Sequence, residues 1–317
     1  MKIRHALIVF AVCLMTACLL PRLSPLKAGT FRLNGSGRWK DTGSSEEEQF
    51  ILRVAEMKKL VDAGEPEKAR RAIEQLKTDF PEIAGADFDA YTDAEMLLAG
   101  GKLTKAVRQY EKFLDDYPAS QLRDAALQRE FGIASDYLAG RRKRVLLVLN
   151  LRRYDDGVKI MEKISDRAGN ADIAKRASVA VADSFEKRHQ YEQAYLKWSE
   201  IQNRWPAGQI AEDALAAMAR TKYATYRGPA YDATGLISAK SYYENFKLRY
   251  PQEAQKMQVD DILSRISEQL AEKQLGIAKY YDRTGSKMPA NLYYQMVVDD
   301  YPQSRAAQTA REKLNQK

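Results

Sequence analysis

Adjacent carboxylates stand at Asp115-Asp116, Asp260-Asp261 and Asp299-Asp300. Carboxylates are a residue type that hydrolases use for general acid–base work. Neighbouring residues of a helix point about 100° apart, so such pairs do not face one another, and their expected place is a solvated helix surface. Histidine is sparse: His5 and His189 are the only two. His189 stands in EKRHQYEQA, at an expected turn between helices, where an exposed turn residue is expected rather than a ligand. The chain has no Cys/His cluster of zinc-binding spacing, no G-x-S-x-G elbow and no Gly-rich phosphate loop. The expectation is a chain that is not an enzyme and that uses no cofactor, metal or small-molecule substrate. What remains is cationic, aromatic and sulfur chemistry. There is a basic cluster, Arg141, Arg142, Lys143 and Arg144 with Arg152 and Arg153. Tyr223, Tyr226 and Tyr231 surround Gly228-Pro229, and the two cysteines are Cys13 and Cys18.

Both cysteines lie in an N-terminal stretch laid out for export. Lys2, Arg4 and His5 precede an apolar run from Ala6 to Leu14, the order of a secretory signal. Leu14-Met15-Thr16-Ala17-Cys18 then resembles the lipobox of bacterial lipoproteins, which implies residues 1–17 as a lipoprotein signal peptide and Cys18 as the lipidation site. Met15 stands where the motif usually has Leu. The alternatives are ordinary signal cleavage, for instance near Ala28-Gly29, and an uncleaved anchor. The apolar run is shorter than the roughly 20 residues of a spanning helix. Leu19, not being Asp, implies no inner-membrane retention signal. Residues 18–45, with Pro21, Pro25 and four glycines and no helical period, are expected to be a flexible tether.

From residue 46 to 317 one pattern recurs. Ala106 is followed by Tyr110, Phe113, Tyr117 and Pro118, at plus four, seven, eleven and twelve. The same grammar starts at Ala69, Ala194, Ala239 and Ala290, ending in Phe80-Pro81, Trp205-Pro206, Tyr250-Pro251 and Tyr301-Pro302. A degraded copy keeps Gly157, Met161 and Ile164 but has Ala168-Gly169 at its end. Lead residues are 37, 51, 37, 45 and 51 apart, from positions 69, 106, 157, 194, 239 and 290. Each spacing is a 34-residue period plus an insertion, and a 34-residue helix–turn–helix period is that of the tetratricopeptide repeat. A small lead residue lets helices approach, the aromatics fill the gap to the next pair, and proline stops the helix. The expected fold is all-α, a right-handed superhelical solenoid of about five to six such helix pairs.

The insertions are where the array could acquire a particular task. The first holds the basic cluster and the apolar Val145–Leu149. It is expected as a lengthened helix with a buried apolar run and solvated charges, or else as a patch for lipid headgroups or an acidic partner. The net charge of +8 and pI near 9.2 would also suit nucleic acid, but an exported chain is not expected to meet any. The second insertion is the tyrosine loop, expected either as partner contacts or as folded back onto the array. The third, residues 252–284, contains no Pro and reads as one helix of roughly 30 residues, long for a globular protein.

Over residues 236–317 the order is specific: a helix ending in LRYP, a very long helix, IAKYYDRTG, and a helix ending in VVDDYPQS. With the lipobox, this resembles the BamD-like family of outer-membrane assembly lipoproteins, tetratricopeptide proteins of the β-barrel assembly machinery. The resemblance implies a lipid-anchored scaffold at the periplasmic face of the outer membrane. Its implied partners are the β-barrel assembly subunit, unfolded outer-membrane proteins and other envelope proteins. It places the barrel-subunit contact near Tyr280, Tyr281, Asp282 and Arg283, and a substrate groove on the first repeats. The chain departs from the family in having six repeat-like units rather than five and a shorter loop at Thr221–Gly235. It also has Arg283 one residue further from the glycine than the family's arginine. An adaptor lipoprotein for another envelope complex (pilus, secretion or cell division) is the alternative. A peptidoglycan-cleaving enzyme would need a Glu-Ser motif, and no Glu-Ser pair occurs.

Overall fold

Five of the six repeated helices end in the same way. A residue before proline is pushed out of the helical region toward extended backbone, and Phe80, Trp205, Tyr250 and Tyr301 all sit near φ −130° (−132, −129, −131 and −134°). Each, like Tyr117, still donates its N–H to the carbonyl four residues back. The aromatic ring is thereby turned inward just as proline forbids another turn of helix.

The computed structural model describes residues 31–33, 39–41, 46–140, 142–145 and 149–316. Fourteen helices run through the described residues: α1 (Glu46–Asp62), α2 (Pro66–Asp79), α3 (Ala86–Ala99), α4 (Leu103–Asp116), α5 (Arg123–Leu138), α6 (Tyr154–Ala168), α7 (Asp172–Lys187), α8 (Tyr191–Arg204), α9 (Gln209–Ala224), α10 (Thr234–Arg249), α11 (Pro251–Lys256), α12 (Val259–Arg283), α13 (Lys287–Asp300) and α14 (Arg305–Asn315). The repeated helices are α2, α4, α6, α8, α10 and α13. The fold is a helical solenoid of consecutive helix pairs, as the all-α expectation requires. The signal segment and Cys18 lie outside the described residues.

The chain divides into two compact units, Met1–Gln109 and Tyr110–Lys317, with the division inside α4. In the first, Phe50, Met57 and Val61 of α1 are buried with Ile73 and Leu76 of α2 and Phe88 and Tyr91 of α3. Phe50 packs edge-on to Phe80 at 5.7 Å and tilted to Phe88 at 5.3 Å. In the second, α5 to α10 pack each on the next, and α12, α13 and α14 do likewise. The lead alanines are fully buried, and the aromatic or aliphatic residues that follow them at plus four and plus seven are buried too.

Three departures from expectation have local causes. The stretch with the basic cluster is a hairpin, β3 (Arg142–Val145) antiparallel to β4 (Leu149–Arg152) with Val145 opposite Leu149, and not a lengthened helix: α5 stops at Leu138, and Gly140 takes φ +92°. Within the expected tether, β1 (Phe31–Leu33) pairs with β2 (Trp39–Asp41). The single long helix is interrupted: Gln258, at φ 54°, separates the six-residue α11 from the 25-residue α12.

The degraded copy shows what the missing aromatic-proline pair does. Without proline, α6 ends at Gly169 with φ 60°, and a neighbour supplies the cap. The Arg204 guanidinium of α8 donates to the carbonyls of Ser165 (3.0 Å) and Gly169 (2.9 Å) and to the Ser165 hydroxyl (2.8 Å). Its lead residue is glycine because α5 lies too near for anything else. A Cβ at 157 would stand 2.9 Å from Leu138 Cδ2 and 3.0 Å from the Ala134 carbonyl. Arg204→Ala leaves those carbonyls uncapped and is expected to cost about 2 kcal/mol by the scale of charged hydrogen bonds, read as a lowered denaturation midpoint at unchanged slope.

Candidate functional site

Helix α12 organises the C-terminal part of the second unit. Its apolar residues recur at helical spacing, and Val259, Ile266, Leu270, Ala271, Leu275 and Ala278 are buried. The opposite face carries Glu272, Lys273, Gly276, Tyr280 and Arg283. Residues seven apart are two turns of helix, about 10 Å along the axis, so Lys273 and Tyr280 share a side, as do Gly276 and Arg283.

The tyrosine loop is fastened to this face. Lys273 Nζ donates to the carbonyl of Tyr231 at 2.6 Å and of Pro229 at 3.1 Å. The loop's rings divide between the two expected roles. Tyr223 and Tyr226 fold back onto the core between α9, α10 and α12. Burial, with Glu272 adding to it, raises the Tyr226 phenol above its ordinary pKa. Tyr231 is 54% exposed, and the Arg227 guanidinium lies 5.3 Å from its ring.

The turn from α12 to α13 divides its residues in the same way. Tyr281 stacks on Tyr293 at 5.6 Å and 14°, and its carbonyl takes the Thr284 hydroxyl (3.1 Å) and the Ser286 N–H (3.0 Å). Asp282 accepts from Lys287 Nζ at 2.7 Å, and that bond raises the Lys287 pKa. Tyr281 and Asp282 therefore hold the turn, while Tyr280, 56% exposed, and Arg283 face solvent.

Gly276 stands one turn before Tyr280 on this face. A glycine inside a helix costs about 1 kcal/mol relative to alanine. A Cβ built at 276 meets nothing within 4 Å, so internal packing does not call for it. The face thus combines Lys273, Arg283 and Tyr280 with the exposed Glu272, one turn before the bare Gly276, a mixed-charge strip on which a partner's backbone can lie close to the helix. Sequence reasoning singled out the two ends of this strip and missed Gly276 and Lys273. The seven-residue spacing of Lys273 and Tyr280 was the available signal.

The remaining candidates stand elsewhere. Arg153 is drawn inward: its guanidinium lies 4.2 Å from the Tyr137 ring, donates to the Tyr137 hydroxyl at 2.6 Å, and pairs with Asp156. Arg142, Lys143, Arg144 and Arg152 lie on the β3–β4 ribbon, and Arg141 is outside the described residues. All three carboxylate pairs make structural contacts: Asp115 pairs with Arg167 at 2.8 Å, Asp260 with Lys247, and Asp299 accepts from Gln295 at 2.8 Å. A groove that sequence reasoning did not find runs along α7. One part, of about 580 Å3, includes Phe131, Arg176 and Val179; the other, of about 440 Å3, includes Lys187, His189 and Arg220, and Asp183 lines both. Burial raises the Asp183 pKa, and Arg220 is held by Glu186 through bonds of 2.7 and 2.9 Å. Among the described residues no group of His, Cys, Asp and Glu could hold a metal ion, and no helix is long and apolar enough to cross a membrane.

His189 occupies a backbone position that glycine fills elsewhere. Gly64, Gly101 and Gly285, each five residues before a lead alanine, have φ of 69, 69 and 82°, and His189 has 58°. All four close the same turn: the N–H after each bonds the carbonyl five residues back, as Gln190 does to Phe185 at 2.9 Å, the bond of a Schellman cap. His189 also shares a 2.7 Å hydrogen bond with the Tyr191 hydroxyl. His189→Gly relieves a left-handed side chain and is expected to raise stability by about 0.5–1 kcal/mol, measured by chemical denaturation.

Residues 221–317 match the YfiO family, described as outer membrane lipoprotein, and residues 94–120 match a tetratricopeptide repeat family. The α12 strip, its loop and the following turn all fall inside the first match. No curated protein sequence matches the chain. Among solved structures, the C-terminal part of a TPR repeat-containing protein from Cytophaga hutchinsonii is similar at 15% identity, with 84% of this chain and 88% of that one covered and a TM-score of 0.37. PilW, a type IV pilus biogenesis factor, is similar at 16% identity over 83% of this chain and 98% of that one, with a TM-score of 0.30.

Proposed function

We propose that the chain is a lipid-anchored, non-enzymatic scaffold at the periplasmic face of the outer membrane, working in the assembly of β-barrel outer-membrane proteins. The observation that carries it is the coincidence of residues 221–317 with the outer membrane lipoprotein family and the partner-type strip on α12 inside that stretch. In this reading residues 1–17 are the signal peptide and Cys18 carries the lipid. Residues 18–45 form the tether, and residues 46–317 the repeat array. Lys273, Gly276, Tyr280 and Arg283, with Tyr231, receive a segment of the barrel subunit's periplasmic domains. Tyr281 and Asp282 act by holding the turn, and Tyr226 by seating the loop. The basic cluster of the β3–β4 ribbon is a second surface for lipid headgroups or an acidic partner.

Co-purification in mild detergent tests the partner. Recovery of a large barrel protein with periplasmic domains is expected; recovery of pilus, secretion or division proteins alone would sink the proposal. Gly276→Ala ties that result to the strip. It should raise thermal stability slightly, through helix propensity, while lowering recovery of the barrel subunit about tenfold by filling the bare centre, the loss that 1.4 kcal/mol of binding energy brings. Undiminished recovery would show that the strip is not the contact. Cys18→Ser should leave the protein unacylated and released from membranes; acylation that persists in that variant would overturn the lipid anchor.

A further inference from the structure

The repeated helices provide an internal comparison of their own outward faces. On each, the positions two before, two after and six after the lead residue lie on one side, away from the buried positions. All eighteen are exposed except the half-buried Thr104. The first copy has Glu67, Arg71 and Gln75 there, and the third Asp155, Lys159 and Lys163. No copy among the first five has more than one apolar residue at these positions. The last copy, on α13, has Met288, Leu292 and Met296, at 85, 61 and 37% exposure. A solvated face has no use for three apolar side chains in a row along a helix, and a contiguous exposed apolar stripe marks an interaction surface. Met side chains also suit a surface that must adapt to what covers it.

The stripe is symmetric about Leu292. Two α13 helices laid antiparallel across a twofold axis would place Leu292 against Leu292, and Met288 of each against Met296 of the other. Contact along rows of residues four apart is a common mode of helix packing. The charges at the two ends differ in sign. Asp299 continues the stripe one turn beyond Met296, where Gln295 donates to it at 2.8 Å. Before Met288 comes the turn with Arg283, whose neighbouring acid, Asp282, is engaged by Lys287. Antiparallel pairing brings the acidic end of each stripe toward the basic turn of the other. Parallel pairing would set like ends together.

We propose that the outer face of α13 is a self-association surface through which two copies of this chain pair antiparallel about Leu292. The inference does not rest on the proposed function: it uses no family match and shares only Arg283 with the α12 strip. The stripe spans nine residues, about 12 Å of helix, which is short beside the roughly 800 Å2 per partner of a stable interface. The pairing is therefore weak, and it forms where copies are concentrated.

Cysteine cross-linking tests the geometry. In the full chain with Cys13 and Cys18 replaced by serine, Leu292→Cys should be joined to itself by a short bismaleimide about tenfold faster than Leu248→Cys, a control at an 82% exposed site on α10. Met288→Cys and Met296→Cys should each cross-link poorly alone and efficiently when mixed. Sedimentation of the unsubstituted chain should show its mass rising with concentration up to about 100 µM, a weak affinity by the usual free-energy scale. Leu292→Glu should remove that rise while leaving the helical circular dichroism unchanged. Equal cross-linking at 292 and 248, or a monomer throughout that range, would overturn the proposal.

Discussion

Phe246→Ala is expected to lower the unfolding free energy of the second unit by about 3–5 kcal/mol, the cost of emptying a buried aromatic site whose surroundings collapse only in part. Phe246 is fully buried at the plus-seven position of α10, in a cluster with Leu215 of α9 and Val259 and Ile266 of α12. Its ring lies 5.4 Å from Tyr250, the residue before the helix-ending proline. The cavity would therefore open where three elements and one helix terminus meet. In a repeat array each unit is stabilised chiefly by its neighbours, so the loss should be local. Hydrogen exchange should show α9 to α12 losing protection by far more than α5 and α6. A loss below about 1 kcal/mol would mean that the plus-seven position is not a core position, contrary to the packing described.

The second large effect depends on pH. Glu130 of α5 is 1% exposed, and its Oε1 has no hydrogen-bond partner. Burial, with Glu111 adding to it, raises its pKa from 4.5 to about 8, against the smaller opposite pull of Arg167 and Lys163. The folded chain thus holds a proton that the unfolded chain gives up near pH 4.5. Stability from this group is fully present below about pH 4.5, falls as pH rises, and is lost once pH passes about 8. At pH 7 the ionisation forgone is of the order of 3 kcal/mol, at 1.36 kcal/mol per unit of pKa. Glu130→Gln keeps the shape and removes the proton. It should raise stability by about 2–3 kcal/mol at pH 8 and by little at pH 5. A stability gain independent of pH would contradict the assignment.

The repeats could be read from the residues because each copy states the same physical instruction. A small lead residue, apolar residues at plus four and seven, and an aromatic before proline each have one structural consequence, and all six lead residues are buried. The insertions carry no such redundancy. Val145–Leu149 is a short apolar run, and such runs suit a strand as well as a buried helix. Nothing in the residue types around Gln258 announces a left-handed break, because neither Pro nor Gly stands there. Of the candidate contacts, Tyr280 and Tyr231 are exposed whereas Tyr281 and Tyr226 pack inward. Neighbouring tyrosines of one type were separated only by the face on which helix and loop placed them. The strip on α12 needed Gly276 to be recognised, and a glycine becomes informative only once the space around it is known.

Depletion of the chain from growing cells separates barrel assembly from the other envelope tasks. Folded β-barrel proteins of the outer membrane, quantified by their resistance to unfolding before heating, should fall in step with the chain while their unfolded forms accumulate in the periplasm. Restoring the wild-type chain should reverse the loss, and a Gly276→Ala chain should do so poorly. Undiminished folded barrel proteins after full depletion would contradict the assignment to barrel assembly.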